Sequence, residues 1–272
     1  MPELPEVESV ARTLWDGTPS LNDQTIIKAT IPLLKVIQQP DHLRFAAEIE
    51  QCCFINLNRI GKYLLFGIES AKGIRHTLVI HLRMTGRLFL VPEHEAHQQH
   101  TRLILHLHSG LALRFDDPRG FGRVWLVDDP AKVIGSLGPD GLTISYEQFT
   151  KQLAGSKRQL KPLLLDQSLI AGIGNIYADE ILFRSQLHPL IPVSSLSEEQ
   201  RQRLHSTIVS VLQEAVAMQG ANIDGVFKAG KFQVAVYGRN GSPCPLCGDI
   251  IIKIKVAQRG THVCPTCQHP TS

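Results

Sequence analysis

Apolar positions along the chain change period three times, and each change marks a different architecture. Val7, Val10, Ala11 and Leu14 recur at i, i+3, i+4 and i+7, one face of a helix predicted over residues 6–17. Pro5 suits the first position of that helix and Gly17 its end. From residue 25 to 127 the pattern becomes short apolar runs broken by turn residues, as at 75–82, 102–108 and 111–115. Several strands at such spacing predict an antiparallel sandwich. Residues 128–141 are dense in Asp, Pro and Gly and read as a linker. Helical signals follow. Ser145 with Gln148, and Ser197 with Gln200, have the spacing of capping boxes, and Leu204, Ile208, Val211, Leu212 and Ala215 form an amphipathic stripe. Residues 250–263 alternate again around Gln258-Arg259-Gly260, which reads as a hairpin. The fold class expected is α+β in two domains. Boundaries are expected at 1–135 for the N-terminal helix and β-sandwich, 136–227 for the helical domain and 228–272 for the hairpin.

Composition narrows the class. The 272 residues are 43% hydrophobic, enough for two cores. No apolar run approaches the roughly 18 residues that a membrane span needs. No charged-then-apolar leader is recognisable at the start, so the expectation is a cytoplasmic protein. The net charge of +3 becomes informative once divided along the chain. Residues 1–135 balance 15 Lys/Arg against 15 Asp/Glu, whereas 136–272 hold 13 against 10. Lys228, Lys231, Arg239, Lys253, Lys255 and Arg259 face a single acid, Asp249, in the last stretch. A basic tail on a neutral body points to a local polyanion contact, with an ordinary solvated surface as the plainer reading.

The cysteines supply context for that tail. Cys244-Pro-Leu-Cys247, sixteen intervening residues, then Cys264-Pro-Thr-Cys267 has the spacing of a four-thiolate zinc site. Two residues between thiolates make a tight turn that aims both sulfurs inward. Two disulfides would be the alternative, disfavoured in a cytoplasmic chain. Four protein ligands close the site, so the one Zn2+ expected is structural. Cys52 and Cys53 are adjacent and read as core or edge residues. His94, His97 and His100 recur every third residue but face no thiolate or carboxylate cluster, so no second metal is expected there. Gly172-x-Gly174 lacks the third glycine and the preceding strand of a dinucleotide site.

Chemistry is suggested at the other end. Met1-Pro2 followed by Glu3-Leu4-Pro5-Glu6 would, on removal of Met1, leave a secondary amine beside two carboxylates. An α-amino group titrates at about 7.7–8.0, so a useful fraction is unprotonated near neutrality and can attack a sugar or carbonyl carbon. The plainer reading is a processed N-terminus whose glutamates complement the helix dipole.

Read in order, the motifs resemble one family. Pro2-Glu-Leu-Pro-Glu-Val-Glu8, Arg59-Ile-Gly-Lys-Tyr-Leu-Leu65, His81-Leu-Arg-Met-Thr-Gly86, Asp117-Pro-Arg-Gly-Phe-Gly122, Lys161-Pro-Leu-Leu-Leu-Asp-Gln167, Gly172-Ile-Gly-Asn-Ile-Tyr-Ala178 and Val236-Tyr-Gly-Arg239 all match formamidopyrimidine-DNA glycosylases, also called 8-oxoguanine DNA glycosylases. The resemblance covers the chain from end to end. It implies a catalytic domain over 1–135, a DNA-binding domain with a helix–two-turns–helix element over 136–227, a zinc finger over 228–272, and a monomer acting on oxidised or abasic double-stranded DNA in the nucleoid.

It further implies that the Pro2 amine attacks C1′ of the damaged nucleotide and forms a Schiff base. Glu3 would protonate the sugar ring oxygen, and Glu6 would shape the local hydrogen bonds. Lys62 would hold phosphate and assist strand cleavage by β- and δ-elimination, with Arg259 gripping phosphate at the second step. Met84, Arg119 and Phe121 would fill the space left by an everted base. Asn175, at a helix start, would receive phosphate on its amide and on backbone N–H groups. His100, Lys157 and Lys161 fall at or near DNA-contacting positions.

Two departures stand out. Gly120 occupies a position where many relatives have Lys or Arg. Residues 220–235 are shorter than the lesion-capping loop of guanine-lesion enzymes, which predicts that 8-oxoguanine is a poorer substrate than formamidopyrimidines or ring-saturated lesions. The alternatives are a relative preferring oxidised pyrimidines or hydantoins, against which Leu4 argues, and a non-catalytic zinc-containing DNA-binding protein.

Overall fold

The computed structural model describes residues 1–223, 225, 227 and 229–270. The chain forms two compact units: Met1–Pro2, Glu6–Ser136 and Ile223–Lys228 make one, and Glu3–Pro5, Leu137–Asn222 and Ala229–Ser272 the other.

The first unit is a sandwich. Its elements are most of α1 (Leu4–Asp16), then β1 (Ile26–Thr30), β2 (Ile37–Gln39), α2 (His42–Ile49), β3 (Cys52–Ile60), β4 (Tyr63–Ser70), β5 (Arg75–His81), β6 (Arg87–Pro92), β7 (Thr101–Leu107), β8 (Leu111–Asp116), β9 (Arg123–Val127) and the short α3 (Ala131–Ile134). One sheet runs β1-β7-β8-β6 and the other β2-β9-β5-β4-β3. The pairings are antiparallel except that β2 lies parallel to β9, an exception the alternation pattern could not show. Alternate residues such as Phe54, Phe66, Leu105 and Phe115 close one apolar core, joined by the predicted α1 face of Val7, Ala11 and Leu14. Helix α2 was not expected. Its start, Pro40-Asp41, reads as a turn, but the Asp41 carboxylate caps the helix by accepting from the N–H groups of Leu43 and Arg44. Phe45 and Ile49, four apart, then bury one face.

The second unit holds α4 (Tyr146–Leu153), α5 (Leu160–Leu164), α6 (Asn175–Arg184), α7 (Glu198–Ala217), β10 (Ile252–Val256) and β11 (Arg259–Val263). Both capping boxes form, Ser145 with Gln148 and Ser197 with Gln200. The α7 stripe of Leu204, Ile208, Val211, Leu212 and Ala215 is buried in the core of this unit. Helix α6 is different: residues 176–183 are all buried, Asp179 and Glu180 among them. β10 and β11 pair antiparallel in the expected hairpin, but one position earlier than expected. The turn is Ala257-Gln258, both at positive φ, and Gly260 sits inside the strand opposite Lys255. The glycine is a poor guide here because it lies in the strand, where a Cβ would meet the Lys253 side chain at 2.9 Å.

Candidate functional site

Glu3 is 1% exposed, and its position follows from the start of α6. A helix leaves its first N–H groups without intrahelical partners. Here the Glu3 carboxylate takes them: Oε2 accepts from Gly174 N at 2.8 Å and Tyr177 N at 3.3 Å, and Oε1 from Ile176 N at 2.9 Å. The arrangement needs glycine at 174, since a Cβ there would meet the Glu3 carboxyl carbon at 2.3 Å. Charge-assisted bonds and the positive end of the helix both hold negative charge at this point. The expectation for Asn175 changes accordingly. The N–H groups beside it serve Glu3, and its own Nδ2 donates to the Gly260 carbonyl at 3.1 Å, leaving Oδ1 buried without a protein partner. Pro2 is buried and Met1 is 40% exposed; Glu6, in the sandwich unit, is 2% exposed.

Lys62 lies in the two-residue turn Gly61-Lys62 between β3 and β4, yet is only 7% exposed. The following residue, Tyr63, pairs with His81 across β4 and β5, and the two rings meet edge to face at 4.5 Å. Burial first, then the nearby charges of Arg83 and Lys62, depress His81 to a pKa of about 3. It is a neutral imidazole, whose Nδ1 accepts the Arg83 N–H at 2.9 Å. Sequence reading missed His81; its signal was a polar residue closing an apolar strand.

Two loops of the sandwich converge. Asp117, fully buried, accepts from the Thr85 hydroxyl, from Arg119 N at 3.2 Å and from Gly122 N at 2.7 Å. Arg119 N also donates to Thr85 Oγ1 at 3.3 Å. One carboxylate thereby ties the loop bearing Met84 to the loop bearing Arg119 and Phe121. Met84 is 40% and Phe121 43% exposed, and the Arg119 guanidinium stacks over the Phe121 ring at 4.9 Å. Gly120 between them has φ +64°, and a Cβ there would meet Leu33 Cδ2 at 3.2 Å, which accounts for a glycine in place of a basic residue. His100 is exposed, and its carbonyl accepts from Asp117 N at 2.9 Å.

Lys157 is exposed beside Ser156, Ser194 and Arg201 in one cavity. Lys161, by contrast, is fully buried, its ammonium bonded to Asp179 Oδ1 at 2.5 Å, Thr261 Oγ1 at 2.8 Å and the Gly260 carbonyl at 3.1 Å. Burial lowers its pKa, and Asp179 opposes that. This geometry gives Lys161 protein partners where a phosphate was expected. Arg259 is exposed on the first residue after the hairpin turn. Glu180, also fully buried, accepts from the N–H groups of Ala235, Val236 and Tyr237 at 2.8–2.9 Å, and burial pushes its carboxyl up. Neither Asp179 nor Glu180 was singled out from sequence, where Ala178-Asp-Glu-Ile181 looks like a solvated turn of helix.

The four cysteine sulfurs lie within 4.8 Å of one another, with Cys244–Cys267 at 3.8 Å and Cys247–Cys264 at 3.4 Å. A tetrahedral ion with bonds of about 2.3 Å sets sulfurs about 3.8 Å apart, so the cluster fits one structural zinc. Leu246 N and Cys267 N each donate to a sulfur, Cys244 and Cys264, at 3.4 Å. Burial and the neighbouring sulfurs push the Cys267 thiol up, a crowding that a divalent cation relieves. Of the segment 220–235, expected to be a shortened lesion cap, residues 224, 226 and 228 lie outside the described residues.

Comparison with known proteins agrees along the whole chain. Residues 1–124 match the formamidopyrimidine-DNA glycosylase N-terminal domain, 137–226 the H2TH domain of the same enzymes, and 241–270 a zinc finger found in FPG and IleRS. The formamidopyrimidine-DNA glycosylase of Pelotomaculum thermopropionicum is 41% identical, covering 98% of this chain and 99% of its own. That of Heliobacterium modesticaldum is 43% identical, covering 98% and 100%. Among solved structures, Lactococcus lactis Fpg in complex with DNA containing an N7-benzyl-Fapy-dG superposes with a TM-score of 0.90 at 34% identity, covering 98% of this chain and 100% of that one. The same protein with abasic-site DNA gives 0.90 at 33%, with the same coverage. The class is thus a DNA-repair glycosylase and AP lyase with a sandwich, H2TH helices and a four-cysteine zinc finger. Within it, the chain belongs to the formamidopyrimidine-DNA glycosylase family.

Proposed function

We propose that this chain excises oxidised purines from double-stranded DNA, formamidopyrimidines foremost, and cleaves the strand at the resulting abasic site through a Schiff base on Pro2. The observation that carries this reading is the Glu3 carboxylate, fixed by three amides next to the residue that becomes the N-terminus. Attack of the Pro2 nitrogen on C1′ forms the N–C1′ bond and breaks the bond to the base, which leaves with the glycosidic electron pair. The new ammonium gives its proton to Glu3, whose amide donors favour the anion that can take it. Glu3 then delivers that proton to the ring oxygen as C1′–O4′ opens to the iminium. Loss of a C2′ proton expels the 3′ phosphate, and a second elimination expels the 5′ phosphate.

Lys62 and His100 serve as phosphate contacts in this reading, with Lys157 as a further basic contact and Arg259 gripping the phosphate of the second elimination. Met84, Arg119 and Phe121, exposed on loops locked by Asp117, occupy the gap left by the everted base, with Arg119 facing the orphaned partner. Asn175 and Lys161 support the site from within, and Glu6 orders the N-terminal helix beside Pro2. The zinc ion, when bound, holds the root of the hairpin. The protein acts as a monomer on the nucleoid in the cytoplasm.

Borohydride trapping on an abasic duplex tests the core of the proposal. A covalent adduct is expected from protein lacking Met1 and none from protein retaining it, because the retained methionine acylates the Pro2 nitrogen. No adduct from the trimmed, zinc-loaded protein would sink the proposal and leave a zinc-containing DNA binder. The short 220–235 segment supports a lesion order with 8-oxoguanine below formamidopyrimidines. Equal single-turnover excision of 8-oxoguanine opposite cytosine would remove that part alone.

A further inference from the structure

Helix α6 carries a charge that the proposed chemistry leaves unused. Asp179 has a fully buried side chain, and both of its oxygens are committed. Oδ1 holds the Lys161 ammonium at 2.5 Å, while Oδ2 accepts from the backbone N–H of His262 at 2.9 Å and faces His262 Nδ1 at 3.1 Å. Lys161 in turn donates to the Thr261 hydroxyl and the Gly260 carbonyl, and Asn175 donates to that same carbonyl. Three consecutive residues of β11 are therefore gripped by α5 and α6. They follow directly on Arg259, which is exposed beside the turn, with Lys253 and Lys255 the other exposed cations of the hairpin.

The arrangement does more than hold a ladder together. Five backbone pairs already join β10 to β11, and the cysteine cluster fixes the hairpin root. A buried ion pair adds little stability over an apolar pair of similar volume, because desolvation offsets most of the attraction, but it tolerates only one geometry. The Gly260 carbonyl takes two of those donors, Lys161 and Asn175, each at 3.1 Å.

We infer that Asp179 is a positioning residue for Arg259: through Lys161 and the backbone of residues 260–262 it fixes where the hairpin tip presents its guanidinium to a DNA phosphate. The inference rests on the proposed role of Arg259 and adds the residue that sets its location. Asp179 touches neither sugar nor phosphate in this scheme and acts only through strand β11.

Full-length, zinc-loaded Asp179→Asn protein lacking Met1 tests it against wild type, Arg259→Gln and the double variant. The readouts are zinc stoichiometry, borohydride trapping on an abasic duplex, and the ratio of β,δ- to β-elimination product. Asp179→Asn is expected to keep its zinc and its adduct. Its δ-elimination should fall about tenfold or more, the scale at which a small misplacement costs rate. The double variant should be no worse than Arg259→Gln, since both changes remove one placed guanidinium. A wild-type product ratio in Asp179→Asn, or a double variant whose losses multiply, overturns the inference. Should Asp179→Asn fail to fold, Thr261→Val removes the hydroxyl that accepts from Lys161 and passes the contact on to the Arg259 carbonyl, to which it donates at 3.2 Å. A smaller shift of the ratio in the same direction is expected, and an unmoved ratio overturns the inference. Absence of any adduct from wild type would overturn the functional reading itself; normal trapping with an unmoved ratio overturns only the role of Asp179.

Discussion

The sandwich and the helical unit both fix working residues with buried carboxylates, but they do so against different backgrounds. In the sandwich, strand ladders already place the loops, and one carboxylate, Asp117, locks the two that carry Met84, Arg119 and Phe121. In the helical unit, α6 packs against α5, α7 and β11, and three buried carboxylates take the N–H groups and the cation around it. Glu3 takes the amides of Gly174, Ile176 and Tyr177, Asp179 takes Lys161 and His262, and Glu180 takes the amides of 235–237. A buried backbone N–H needs an acceptor, and where no ladder supplies one a side chain must. The sandwich buries Glu6 and Asp116 too, but its sheets stand on their ladders, whereas the helical unit hangs a helix start, a strand and the segment 235–237 on its three. The helical unit should therefore be the part more sensitive to losing an ion or a charge.

Metal removal is the strongest way to break the comparison. Zinc contributes about 10–16 kcal/mol to the folding of isolated finger peptides, so chelation should unfold the hairpin and abolish DNA binding. The sandwich has its own apolar core and should keep its thermal transition. Calorimetry with and without a chelator checks this; loss of both transitions together would show that the units do not stand apart. Next in size is Lys161→Met. It leaves Asp179 buried without its cation, which costs about 3–5 kcal/mol. Urea melts should show that loss in the helical unit alone.

The same contrast explains what could be read from sequence. Period-two runs gave the sandwich, capping boxes gave the starts of α4 and α7, and cysteine spacing gave the metal cluster, because each is a local pattern with a local cause. The N-terminal motif and the family likeness drew attention to Glu3, but not to its partners, which lie 171 to 174 residues away. Asp179 and Glu180 stayed invisible because an Asp-Glu pair in a helix looks solvated until the whole helix is buried. Lys161 was expected at or near a DNA contact, since nothing local in the sequence shows the buried carboxylate that holds it. Gly260 drew the hairpin turn to itself, although it lies in the strand, where a Cβ would meet the Lys253 side chain at 2.9 Å. Contacts between distant segments set these roles, and no window of sequence contains them.

Acid should act on the sandwich through His81. Its pKa is about 3 in the folded protein, against 6.5 for the free side chain. Between those values only the unfolded chain takes up the proton, so stability is complete above the upper value and falls as pH drops through the window. The slope is at most about 1.4 kcal/mol per pH unit. His81→Gln should flatten that part of the profile between pH 6.5 and 4.5 in denaturant melts. An unchanged slope would mean that His81 titrates normally. Asp117→Asn is smaller. It weakens charge-assisted bonds to two amides and a hydroxyl, for about 1.5–3 kcal/mol, and should loosen Met84 and Phe121 together. Stronger protease cutting at both loops would sharpen the comparison; cutting at only one would show that Asp117 does not couple them.

The smallest effect marks where the comparison stops applying. Ser197 caps α7 from an exposed position, accepting from Gln200 N at 3.2 Å while its own N–H reaches Gln200 Oε1 at 2.8 Å. Water can replace either bond, so Ser197→Ala should cost about 1 kcal/mol, with the product ratio and zinc content unmoved. It belongs to the helical unit as Asp179 does, yet carries none of that unit's dependence on buried charge. If this exposed cap proved as costly as Lys161→Met, the sensitivity of the helical unit would come from general fragility. A loss several-fold smaller, read from the same urea melts, would place that sensitivity in the buried carboxylates.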